Sequence, residues 1–292
     1  MPLGFAKDIL TKSAAAPART PMTDRGYWVS TGTVASGANG ANIVADRGAT
    51  QNWSWGGEST FMAWFNGSTS DTDAQASLAH VRLNDQMPMI ANIEKGTGNN
   101  ITGFVKNLTN PKTESWGTAV TNFNSTYLDG NWHQLVISVK INATTYQSQI
   151  YLDGVQIRNS STTGKTAATA SDSSRYYYFG AGSNNNPGGN YENDPDGAHK
   201  LKIGMIFYDN VFIDLTTNID KFWTNGGGVD LGTDGTASGL SRPDLYIRAN
   251  AAGNMVGSSG TLQNGGSVSL SIIKAVREGT GNIQVFTSGG PT

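Results

Sequence analysis

Cysteine is absent from this chain, which removes disulfides, thiolate metal ligation and a cysteine nucleophile at one stroke. Charge is scarce as well: Asp, Glu, Lys and Arg together make up 14% of the residues, and the formal net charge is -2. Nucleic acid is therefore not an expected partner, because its recognition needs a clustered basic surface. No apolar run approaches the length that spans a bilayer, so no membrane partner is expected either. The opening residues place Lys7 and Asp8 where a secretory signal would need an unbroken apolar core. Without that route, the Asn-x-Ser/Thr triplets at Asn52, Asn66, Asn107, Asn124, Asn142 and Asn159 read as turn chemistry rather than glycan acceptors. Stability must come from burial, with assembly as an additional source.

What the chain has in quantity is glycine, 37 of 292 residues, alongside abundant Asn, Ser and Thr, a composition that favours many short strands over helices. The length fits one large all-β domain with extensions or two ordinary domains. Leu135, Ile137, Val139 and Ile141 alternate with Gln134, Ser138 and Lys140, the period-two pattern of a half-buried strand. Asp153-Gly154 sits between two further β-like runs and supplies the positive φ angles of a tight hairpin turn. Phe61, Ala63 and Phe65 alternate with Met62 and Trp64. Further strand-like runs cover Ile90 to Ile93, Ile101 to Val105, Tyr176 to Phe179, Ile203 to Tyr208 and Val211 to Leu215. The stretch Asn218 to Trp223, with Gly226-Gly227-Gly228 beyond it, is the best short helical candidate and is expected to cover a sheet edge.

Both ends stand apart. Residues 1–25 hold a short amphipathic run, Phe5 to Leu10, and then an Ala- and Pro-containing stretch. Such a segment is either a loose terminus or a docking arm gripping a neighbour through Phe5, Ile9 and Leu10. From Gly260 to Thr292, the runs Val268 to Ile273 and Ile283 to Phe286 suggest a terminal hairpin on the chain's own domain, or a strand donated to another subunit. No internal repeat is present.

The segment Tyr127-Leu128-Asp129-Gly130-Asn131-Trp132-His133, with the later Tyr151-Leu152-Asp153-Gly154, resembles the laminin G-like, or concanavalin A-like, jelly rolls. The stretch Gly228 to Gly239 followed by Arg242 to Ile247 is similar to the closing segment of laminin G-like proteins encoded by tailed bacteriophages. The resemblance covers roughly residues 27 to 250. It implies an all-β, two-sheet antiparallel jelly-roll sandwich over 26–261, between an N-terminal arm (1–25) and a short C-terminal β extension (262–292). It further implies a non-enzymatic virion structural protein, assembled in the host cytoplasm and displayed on the particle surface. A capsid decoration, cement or tail-fibre role would follow, with docking on other capsid or tail proteins and a homo-oligomeric state. The alternative is a carbohydrate-binding tail adhesin that recognises host surface glycans.

Candidate chemistry is sparse. Glucanases of this architecture place carboxylates at alternate strand positions; the nearest match, Glu192-Asn193-Asp194-Pro195-Asp196-Gly197, lacks the final Glu and carries a proline that would interrupt a central strand. That argues against hydrolysis. Glu192, Asp194 and Asp196, with Asn184, Asn185, Asn186 and Asn190 nearby, also suggest an oxygen-ligand loop for calcium, set against a solvated loop. No other cofactor is indicated. His133 reads as structural at a strand entrance, and His80 and His199 carry no catalytic spacing. Gly96 to Asn100 and Gly226 to Gly228 read as turns rather than phosphate cradles. Trp53, Trp55 and Trp116 lie in polar surroundings, where they serve either as core or as a stacking platform for a sugar ring.

Overall fold

The computed structural model describes residues 27–31, 42–46, 53–68, 75–83, 86–94, 100–107, 112–141, 145–163, 170–172, 176–179, 201–225, 227–249, 255–259, 269–273, 282–286, 288 and 290–291. Side chains are described over 56–68, 120–141, 145–163, 201–225 and 227–248 and at isolated positions elsewhere. In chain order the strands are β1 (Tyr27–Thr31), β2 (Asn42–Asp46), β3 (Trp53–Trp55), β4 (Glu58–Ser68), β5 (Gln75–Leu83), β6 (Gln86–Glu94), β7 (Asn100–Asn107) and β8 (Lys112–Ala119). There follow β9 (Asp129–Ile141), β10 (Thr145–Leu152), β11 (Val155–Thr163), β12 (Ala170–Asp172), β13 (Tyr176–Phe179) and β14 (Lys202–Asp209). The last are β15 (Trp223–Thr224), β16 (Gly227–Gly228), β17 (Leu245–Ala249), β18 (Met255–Ser259), β19 (Ser269–Ile273) and β20 (Asn282–Phe286). Helices α1 (Phe123–Tyr127) and α2 (Leu215–Asn218) and a 3-10 turn at Ile219–Lys221 are short. None of the described helices is long and apolar enough to cross a membrane.

Every described pairing is antiparallel. One large sheet has nine strands, running β11-β10-β9-β4-β14-β1-β20, with β17 on β14 and β18 on β17; a second has seven, running β19-β2-β13-β5-β6-β7-β8; β12-β3 and β15-β16 form two-stranded ribbons. The fold is a two-sheet jelly-roll sandwich. Between the sheets, Phe61, Ala63, Phe65, Leu135, Ile137, Val139, Ile150 and Leu152 meet Leu78, Ala91, Ile93 and Ile101 in one buried cluster. Large side chains in that setting each contribute about 2 kcal/mol of burial.

The alternation in β9 suggested one wet face, but the structure corrects this. Gln134, Val136 and Ser138, on the face away from the seven-stranded sheet, are fully buried, as are Met62 and Trp64 of β4. A second cluster explains it: Met62, Trp64, Val136, Tyr151, Met205, Phe207 and Tyr246 pack beneath Leu215, Phe222, Val229, Leu231 and Leu240. The segment from residue 210 to residue 244 therefore forms a cap over the outer face. The expected helix at 218–223 begins earlier, at Leu215, capped by the Asp214 side chain accepting from Thr216 N. It covers the sheet face rather than an edge.

Val211 to Leu215, expected as a strand, is instead an irregular strap whose backbone is satisfied by side chains. Thr60, Ser138 and Gln149 are cross-strand neighbours on β4, β9 and β10 and are buried at 0%, 0% and 1% exposure. Thr60 donates its hydroxyl to Val211 O (2.7 Å), so Ser138 must be the donor in the 3.0 Å contact between the two hydroxyls. Ile213 N donates to Thr60 Oγ1 and Ser138 Oγ at 3.0 and 3.1 Å. Leu215 N donates to Gln149 Oε1 at 2.7 Å. Polar residues interrupt an apolar face here because an irregular backbone laid on it needs partners.

At the C-terminal end, the two β-like runs do not pair as a hairpin. β19 joins β2 in the seven-stranded sheet and β20 joins β1 in the nine-stranded sheet, each covering an edge that would otherwise lie open.

Candidate functional site

One end of the nine-stranded sheet gathers the start of β9, the end of β4, the β10–β11 turn and the start of β14. His133 is its centre. Nδ1 lies 2.7 Å from Asp153 Oδ2 and Nε2 lies 3.1 Å from Asp129 Oδ1. A neutral imidazole donates from one nitrogen only, so two facing carboxylates favour the imidazolium. Burial alone would lower the His133 pKa, but the hydrogen bonds to Asp153 and then Asp129, with their negative charges, raise it above the ordinary value. For Asp129, burial pulls upward, yet hydrogen bonds from the Asn131 backbone, His133 and the Asn131 side chain leave it below the usual carboxylate range. The Tyr127 ring stands edge-on to His133 at 5.1 Å, and burial first, then the charge of Asp153, pushes its hydroxyl up.

The sequence reason for this clamp is the Asp-Gly turn. Asp153 (φ 47) and Gly154 (φ 73) both take the left-handed conformation, which the right-handed twist of a two-residue hairpin demands. The turn then folds back on β9: Asp153 N donates to Gln134 O at 3.0 Å, and Gln134 N donates to Asp153 Oδ1 at 2.8 Å. A β-carbon on Gly154 would stand 2.1 Å from Trp223 Cδ1, so the cap's indole lies directly on the glycine. With His133 only 9% exposed, the clamp is a fastening between turn, strand and cap, closed to a substrate.

On the opposite side of β9 the neighbouring residue packs partly against the second cluster. Trp132 is half-buried and meets the half-buried Tyr27 edge to face, with centroids 5.6 Å apart and planes at 60°. Lys202 Nζ lies 5.6 Å from the Tyr27 ring centroid. Cross-strand register sets this row, pairing Trp132 with Asn66 and Asn66 with Lys202. Asn66 Nδ2 donates to Gly130 O at 2.6 Å, and Asp129 accepts from Asn131 N and Nδ2 at 2.8 and 2.7 Å. These bonds tie the exposed Asp129-Gly130-Asn131 segment to β4 and to itself.

A second acidic pair is unsuited to catalysis. Asp209 and Asp244 are 5% and 3% exposed; burial, and then the charge of Asp244, push Asp209 up to about 7. Carboxylates that cleave a glycosidic bond must open onto a cleft from both sides of the sugar, and these two are enclosed. Asp230 and Asp234 close turns on Gly232 N and Thr236 N at 2.8 and 3.2 Å.

No family model matches the chain, and no curated protein matches its sequence. Among solved structures, a heptameric SAP-like pentraxin from Limulus polyphemus is similar at 10% identity and a TM-score of 0.45, over 86% of this chain and 97% of that one. The carbohydrate-binding module CBM40 of the Ruminococcus gnavus IT-sialidase, bound to α2,3-sialyllactose, gives 8% identity and a TM-score of 0.32, over 60% and 90% of the two chains. A homodimeric agglutinin from chicken liver, CG-16, gives 11% identity and a TM-score of 0.29, over 57% and 99%. The likeness is one of fold alone.

Of the residues singled out from sequence, His133 sits in the clamp, as a structural residue. Trp53 and Trp55 fall on β3, paired with β12, and Trp116 falls on β8 opposite Gly103 of β7; their side chains lie outside the described residues. Glu192, Asp194 and Asp196, and the arm residues Phe5, Ile9 and Leu10, also lie outside them. Among the described residues, no three His, Asp or Glu side chains converge to hold a metal. Trp132 and Tyr27 escaped the sequence reading because Trp132 belonged to the fold motif; its signal was parity, which puts it on the face of the strand opposite His133.

Proposed function

We propose that this chain is a non-enzymatic carbohydrate-binding jelly roll whose ligand site is the Trp132–Tyr27 platform. The observation that carries the reading is the pairing of two half-buried aromatic rings at 5.6 Å with the Lys202 ammonium beside one of them. A sugar presents an apolar C–H face and a fringe of hydroxyls. The rings take the first, while Lys202, whose ammonium lies 5.6 Å from the Tyr27 ring centroid, supplies donors for the second. Weak stacking and a small set of oriented hydrogen bonds suit reversible recognition of repeated surface glycans, where many copies add avidity.

Glycan-array screening of the full chain, followed by calorimetry on the best ligand, tests this. Trp132→Ala should weaken binding by about tenfold or more, the loss of roughly 1.4 kcal/mol of stacking. Trp116→Ala should leave it unchanged. Binding that survives Trp132→Ala, or depends on Trp116 instead, refutes the site. The setting we propose is a phage particle surface, supported by the resemblance of residues 228–247 to phage-encoded proteins. Removal of residues 1–25 is then expected to abolish incorporation into particles, scored by electron microscopy.

A further inference from the structure

We propose that β11 pairs edge to edge with β11 of a second copy, joining the two nine-stranded sheets into one continuous antiparallel sheet. β11 ends its sheet, bonded to β10 along its length and to no other strand among the described residues. At nine residues it is longer than the strands ending the other borders: β8 has eight, and β18, β19 and β20 have five each. Natural sheets guard such edges with Lys, Pro, inward charges or bulges. β8 carries Lys112 and Glu114. β11 carries two such guards at its start, a bulge at Ile157, where Ile150 pairs with Arg158 and Tyr151 with Gln156, and the charge of Arg158; from Asn159 to Thr163 its register is unbroken and its residues are Asn, Ser, Ser, Thr and Thr. Arg158 itself turns inward, donating from Nε to Ser148 Oγ at 2.9 Å.

The occupant follows from charge and symmetry. Strands in one antiparallel sheet share their up and down faces, so a two-fold axis normal to the sheet must pass through a residue position. With the axis on Ser160, Ser161 faces Asn159, Thr162 faces Arg158 and Thr163 faces Ile157. No charge meets its own copy, and short hydroxyl and amide side chains line both sides, a cross-strand pairing that antiparallel sheets tolerate well. The strand is complementary to itself.

Sedimentation of the full chain up to about 100 µM should show a dimer. Ser161→Lys places two ammonium groups within one residue of the axis and should weaken self-association by about tenfold or more, with an unchanged melting temperature because Ser161 is exposed. Because the chain has no cysteine, a second measurement is available. Ser161→Cys should give a cross-linked dimer with a short bis-maleimide, whereas Val155→Cys, at the far end of the strand and 61% exposed, should not. A monomeric wild type, an oligomer untouched by Ser161→Lys, or equal cross-linking at both positions overturns the proposal.

Discussion

Asp153 offers the sharpest perturbation, because one carboxylate holds both the His133 ring and the start of the inner strand. Its replacement by Ala removes the 2.7 Å contact to Nδ1 and the 2.8 Å acceptor for Gln134 N. A hydrogen bond to a charged partner contributes about 1.5–3 kcal/mol, and a buried donor left without an acceptor costs about 1–3 kcal/mol. The Asp153 side chain is 23% exposed, so water recovers part of that, and the expected loss is about 3 kcal/mol in urea unfolding. Asp153→Asn separates charge from shape, since Asn tolerates the same left-handed backbone and keeps an acceptor. The pH dependence then has a definite sign. His133 has a folded pKa above its unfolded value of 6.5, so its contribution is complete below 6.5 and fades as pH rises through the folded value. The stability gap between wild type and Asp153→Asn should be widest near pH 5.5 or so and close at alkaline pH. A gap that stays flat from about pH 5 to about pH 9, or a loss on Asp153→Ala below about 1 kcal/mol, refutes the clamp.

Three further outcomes are expected. Gly154→Ala should cost about 2 kcal/mol or more in chemical denaturation, because its β-carbon would meet the Trp223 indole at 2.1 Å and its φ is +73; Gly130→Ala, with open space around it, should cost about 1 kcal/mol, from backbone alone. Asp209, with its folded pKa raised from 3.8 to about 7, makes stability fall as pH rises across that interval. Asp209→Asn should therefore flatten the melting-temperature profile there and raise the melting temperature at alkaline pH. Thr60→Val, which keeps volume but strips one of the two acceptors from Ile213 N, the acceptor for the Ser138 hydroxyl and the donor to Val211 O, should destabilise by about 2 kcal/mol, read by urea titration.

Much of the frame was legible in advance because it rests on local rules. Period-two alternation marked β9 and β4, and Asp153-Gly154 marked the hairpin by the one property that dipeptide has. The hidden part was long-range. Ser138, Gln134 and Thr60 look like solvent-facing residues of a half-wet strand, and nothing local says that a chain segment more than sixty residues away, by the separations of its hydrogen bonds, will lie on them. The same limit applied to the site: Trp132 is conspicuous in the sequence, but its partner Tyr27 comes from the opposite side of the sheet order, through β14 and β1.

The row formed by Thr60, Ser138 and Gln149 exists only when β4, β9 and β10 are in their final alignment, since a slip by one residue would turn each of these side chains to the opposite face. The cap can therefore form these bonds only on correctly aligned strands. Protection of the Ile213 and Leu215 amides, whose acceptors are side chains of that row, therefore reports on the alignment of three strands at once.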